Sequence, residues 1–223
     1  MCAWDALAQA AGLPLVKLLG GEAKPVRAYN SCGLWIQPLG PLADDAEAAE
    51  DVAAVRAVKK RVGDNYNQRH TVNEAIRRGR MLDGEGLDWI EEPVRHDDYV
   101  GCARIAADLT TPIQTGENLV DTFELIHALE AKAMDYVMPD LQRIGGVTGW
   151  MRAAAITHAY GMEMSSHLFP NTARISSAVT PTAHWLEYMD WAVPVVAEPV
   201  QVKDGYGVGE REVLLGRCRR AAA

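Results

Sequence analysis

The chain has 223 residues, 48% of them hydrophobic and 23% charged, which excludes disorder as its main state. Its 22 Lys and Arg against 30 Asp and Glu give a formal net charge of -8, and without a basic run to follow a phosphate backbone no nucleic-acid partner is expected. No apolar run approaches the roughly 18 residues of a membrane span, and the first residues lack the basic segment and apolar core of a signal peptide, so no membrane partner and a cytoplasmic location are expected.

In chain order, residues 51–64 place Val52, Val55, Val58 and Val62 on one side and basic residues on the other, which predicts an amphipathic helix. A strand over 56–63, sharing Lys59 and Arg61 on one face, is the competing reading. From residue 64 onward short apolar runs alternate with helical stretches, the pattern of parallel βα units. Strands are predicted at 87–90, 112–115, 135–138, 162–165 and 183–186. Thr71 with Glu74, and Asp121 with Glu124, form capping boxes. Ala75, Ile76, Gly79 and Leu82 follow the first with helical spacing, and Gly161 is a stop for the helix carrying Trp150. No Pro/Gly/Ser-rich linker divides the region, so residues 1–223 are read as one domain. Cys2, Cys32, Cys102 and Cys218 have no metal-ligand spacing and predict no disulfide framework.

Polar residues end the five strands: Glu91, Glu117, Asp140, His167 and Glu187, one every 20 to 27 residues. In a closed parallel barrel every strand delivers its C-terminal end to one face, so these side chains are expected to converge there. Glu91 and Glu117 are hard oxygen ligands suited to Mg²⁺. His167 is a proton carrier near neutral pH, and Asp140 would fix its tautomer. A cation and a base together suit removal of the proton α to a carboxylate, and a protonated Glu187 would stabilise the resulting enediolate by a hydrogen bond.

Several segments carry a specific resemblance: Trp89-Ile90-Glu91-Glu92-Pro93, Gly116-Glu117-Asn118, Met138-Pro139-Asp140 followed by Ile144 to Trp150, Ser165-Ser166-His167-Leu168, and Pro181 to Glu187. They resemble the barrel domain of the mandelate racemase and muconate lactonizing enzyme group of the enolase superfamily. The resemblance implies an α/β fold, a TIM-like (β/α) barrel. It implies metal ligands at Glu91 and Glu117, a catalytic dyad of His167 and Asp140, and Glu187 as hydrogen-bond partner of the substrate carboxylate. Asn67 matches a substrate-contacting position.

Three departures qualify what the resemblance implies. Where the group has an Asp as its first metal ligand, this chain has Asn65, a neutral and weaker oxygen donor. Only one βα unit fits between Ser31 and Asn65 where the group has two, so the strand bearing the second base is expected to be absent. Residues 4–20 resemble the entry to the barrel, with no N-terminal capping domain before them, so a site open to water is expected; the missing βα unit makes the expected barrel incomplete. The expected function is Mg²⁺-dependent abstraction of the α-proton of a hydroxy acid or sugar acid through an enediolate. Dehydration is preferred to racemisation because His167 is the one secure base. The alternative is a catalytically silent barrel fragment or a non-enzymatic subunit; assembly into a homo-oligomer is left open.

Overall fold

The computed structural model describes residues 2–31, the backbone of 63–65, and residues 68–190, 193, 194, 196 and 198–208. Two helices, α1 (Cys2–Ala11) and α2 (Leu15–Leu18), precede β1 (Val26–Asn30) and β2 (Gly63–Asn65). Next come α3 (Val72–Leu82), β3 (Trp89–Glu91), α4 (Tyr99–Asp108), β4 (Ile113–Thr115), α5 (Thr122–Glu130) and β5 (Tyr136–Val137). The chain continues through α6 (Gly146–Ala159), β6 (Glu163–Ser166), α7 (Pro170–Ala178), β7 (Ala183–Tyr188), β8 (Gln201–Lys203) and β9 (Tyr206–Val208). These elements form two compact units, one of Met1–Cys32, Leu119–Thr122 and Met138–Ala223, the other of Gly33–Asn118 and Phe123–Val137.

In the second of these units β2, β3, β4 and β5 pair in that order, all parallel. The alternation of strand and helix makes this topology, because parallel neighbours need a crossover between them. Thr71 Oγ1 accepts from the Glu74 N–H at 3.3 Å and starts α3 as the capping box predicts. Its buried face is Ala75, Ile76, Gly79 and Leu82. At Gly79 a Cβ would stand 2.2 Å from Leu109 Cδ1, so glycine there lets the helix approach its neighbour closely. Arg78 also lies on this face, 1% exposed, with its guanidinium Nε 2.8 Å from Glu74 Oε1.

In the other unit β6, β7 and β1 pair in parallel, and β9 and then β8 extend the sheet antiparallel. Its core includes Leu15, Val26, Val147, Ala173, Ile175 and Leu186. Gly161, at φ 69°, closes α6: its N–H donates to His158 O, and the Met162 N–H donates to Thr157 O. That is the left-handed glycine stop expected from the sequence.

One reading is corrected. The helix expected over 51–64 does not extend to its last residues, because 63–65 are strand β2, paired with β3 in the register Gly63↔Trp89, Asp64↔Ile90 and Asn65↔Glu91. Parallel backbone pairing outweighs helical periodicity there. The rest of that stretch, including Lys59 and Arg61, lies outside the described residues, as do Asn67, Cys32 and Cys218. After residue 198 the chain forms the β8–β9 ribbon against β1. A Cβ at Gly207 would lie 2.5 Å from Leu186 Cδ2, which is why this ribbon can lie so close to the core. Cys102 is buried and Cys2 exposed, and neither is in a disulfide. Among the described residues no helix is long and apolar enough to cross a membrane.

Candidate active site

The predicted dyad is formed. Asp140 and His167 meet as backbone partners in a parallel bridge. His167 Nδ1 lies 2.8 Å from Asp140 Oδ2, with Asp140 2% and His167 7% exposed. The other carboxylate oxygen, Oδ1, accepts the N–H groups of Gln142 at 2.7 Å and Arg143 at 3.0 Å. Burial by itself raises the Asp140 pKa, but the His167 hydrogen bond and these two N–H groups outweigh it and hold the carboxyl below its usual value. An ionised Asp140 accepts the Nδ1 proton, so the neutral ring carries its lone pair on Nε2, the atom that can take a proton from a substrate.

Glu187, 5% exposed near the end of β7, belongs to the same group. Its Oε2 accepts from the Leu168 N–H at 2.7 Å, and its own N–H donates to Ser166 Oγ at 3.2 Å. The Leu168 backbone stands at φ 48°, a left-handed conformation for a non-glycine residue, which turns the chain immediately after His167 so that this N–H points at Glu187.

In the other unit Glu91 ends β3, and Glu117 follows β4. Trp89 and Glu91 share a strand face at period two, and Trp89 Nε1 donates to Glu91 Oε2 at 3.2 Å. Glu117 Oε1 accepts from Asn118 Nδ2 at 3.1 Å. The backbone of Asn65 is level with that of Glu91 on the adjacent strand. Among the described residues no group of three or more His, Cys, Asp or Glu is arranged to hold a metal ion.

Sequence reasoning missed Glu92, Asn118, Ser166 and the Leu168 N–H. The Glu92 carboxylate is fully buried, and its Oε1 accepts the Gly116 N–H while its Oε2 accepts from Asn118 Nδ2, both at 3.2 Å. The Leu168 N–H is a backbone group and leaves no trace in residue identity.

The family described as enolase C-terminal domain-like matches residues 3–210. An L-talarate/galactarate dehydratase of Salmonella typhimurium is 32% identical over 227 residues, covering 91% of this chain and 57% of that protein. Among solved structures, an enolase from Bradyrhizobium, complexed with magnesium and mandelic acid, superposes with a TM-score of 0.88. It is 35% identical, with 97% of this chain and 66% of that one covered. An L-talarate dehydratase from Polaromonas sp. JS666, complexed with Mg and L-glucarate, gives a TM-score of 0.82 at 30% identity, covering 92% of this chain and 64% of that one. The chain thus spans about three fifths of the length of these relatives. With its α/β fold of TIM-barrel type and its family match over nearly the whole chain, this protein belongs to the enolase C-terminal domain-like family, in the mandelate racemase and muconate lactonizing enzyme group.

Proposed function

We propose that the chain removes the α-proton of a hydroxy acid or sugar acid with the assistance of Mg²⁺, and that the outcome is dehydration. The observation that carries this reading is the 2.8 Å contact between His167 Nδ1 and a buried, ionised Asp140. It leaves Nε2 of His167 as the base and lets Asp140 stabilise the imidazolium that forms. Glu187 would hold the substrate carboxylate, and Asn67 would contact the substrate. After abstraction the imidazolium of His167 holds a proton that can be handed to the departing β-hydroxyl, so elimination needs no second base. Glu91, Glu117 and Asn65 would hold the cation; two carboxylates and an amide oxygen suit a hard divalent ion that keeps several waters. When bound, Mg²⁺ supplies Lewis-acid polarisation of the substrate carboxylate, which makes the α-proton more acidic. The test is a panel of aldaric and aldonic acids of the kind named for the relatives, galactarate, talarate, gluconate and galactonate, assayed for formation of the keto acid with and without Mg²⁺. Mg²⁺-dependent product from one of them, lost in Glu91→Gln, supports the reading.

One feature favours a second reading, a catalytically silent barrel fragment or non-enzymatic subunit. Asn65 is neutral at the position where the resemblance implies an acidic first metal ligand. A folded chain that binds Mg²⁺ yet turns over no acid of the panel at millimolar Mg²⁺ would favour this second reading.

A further inference from the structure

We propose that Glu92 and Asn118 are positioning residues that hold the Glu117 carboxylate in a single orientation for its cation. The inference rests on the reading of Glu91 and Glu117 as metal ligands and adds two residues that touch neither cation nor substrate.

The chain of contacts is continuous. Glu92 carries a carboxyl side chain with 0% exposure, and its backbone sits at φ 46°, a strained conformation for a residue with a Cβ. Its main chain is tied at both ends: its N–H donates to Gln114 O at 3.1 Å, and its carbonyl accepts from the Gln68 N–H at 2.7 Å. The side chain then reaches across to the loop after β4. Oε1 takes the N–H of Gly116, itself at φ 130°, and Oε2 takes the Asn118 amide. That same amide nitrogen donates its other proton to Glu117 Oε1 at 3.1 Å. Glu92 therefore grips the residues on both sides of Glu117, and Asn118 relays that grip to the ligating carboxylate.

The chemistry favours this role over simple packing. An amide NH₂ has two donors and here divides them between two carboxylates, so its orientation is set by Glu92 and in turn sets Glu117. Two acids share the donor, and an apolar residue at 92 would leave the Gly116 N–H and one amide proton without these acceptors. A ligand whose free rotation is removed before the cation arrives binds it more tightly, as outer partners do in metal sites generally, where their loss costs about 10–100-fold in affinity.

The experiment uses the full chain in three forms: wild type, Glu92→Gln and Asn118→Ala, the last at a half-buried position that remains usable if the buried substitution fails to fold. In the metal-free chain, labelled with ¹³C-glutamate, the carboxyl resonance of Glu117 should move in either variant and stay put in Glu130→Gln. By calorimetry with MgCl₂, either variant should bind at least tenfold more weakly than wild type while its melting temperature stays within a few degrees. An unmoved Glu117 resonance in both variants overturns the proposal, and so does unchanged Mg²⁺ affinity. If wild type binds no Mg²⁺, the ligand assignment fails, and the metal-free resonance alone then decides whether Glu92 and Asn118 orient Glu117.

Discussion

His167 and Asp140 are partners twice over, as backbone neighbours in a parallel bridge and through the 2.8 Å contact between Nδ1 and Oδ2. The backbone contact sets the spacing, and the side-chain contact sets the tautomer. Asp140→Asn keeps the shape but removes the charge that stabilises the imidazolium. Proton abstraction should fall by about 10²–10⁴-fold, the usual range for general-base assistance. Rate measurements at saturating acid and Mg²⁺ check this; a fall below tenfold would mean Asp140 does not support the base.

Asn65→Asp should tighten Mg²⁺ binding, because it restores an anionic oxygen at a position level with Glu91. Calorimetric titration of the two chains decides the matter. Tight binding by the unmodified chain with no gain in the variant would show that another group, such as Asp64, fills the position.

The Glu74 carboxyl offers a pH test of the fold. Its hydrogen bonds from Arg77 and Arg78 overcome partial burial and lower its pKa from 4.5 to about 2. The folded value lies below the unfolded one, so the ionised group stabilises the fold above pH 4.5. That contribution is lost as the pH falls from 4.5 toward 2. Glu74 is partly exposed, and solvent screening reduces its worth to about 1 kcal/mol at pH 7. Glu74→Gln should therefore lower stability by that amount at pH 7 and by almost nothing at pH 2, measured by urea unfolding at both values.

Gly149→Ala should unfold the start of α6. A Cβ there would overlap the Ile144 carbonyl oxygen, well inside van der Waals contact, and this backbone atom cannot swing aside. The strain should cost about 2–4 kcal/mol, in the upper range for single substitutions. Because Ile144 closes the turn that begins at Asp140, through its N–H to Asp140 O, the Asp140 site should be disturbed as well. Thermal melting and ¹⁵N spectra of Gln142 and Arg143 would show both effects.

Much of this arrangement was legible in the sequence because parallel βα units repeat a short period. The strand predicted at 183–186 begins at Ala183 as observed, and Glu91 and His167 stand at the strand ends inferred for them. The dyad was legible because a His and an Asp on consecutive strand ends suit each other chemically. Glu92 escaped notice because its partners, a backbone N–H and an amide after the next strand, become neighbours only through tertiary packing. The β8–β9 ribbon escaped notice because three-residue exposed strands such as Gln201–Lys203 carry no apolar alternation. Valine periodicity over 51–64 misled at its end, where pairing of 63–65 with β3 decides the conformation.

The most direct test of the central claim follows the substrate α-proton in D₂O by NMR, with the best acid of the panel and saturating Mg²⁺. The wild-type chain should exchange or eliminate that proton without inversion, His167→Asn should abolish the reaction, and Lys59→Ala should leave it largely intact. Racemisation of a hydroxy acid that stops in Lys59→Ala, or exchange that survives in His167→Asn, would contradict a one-base mechanism centred on His167.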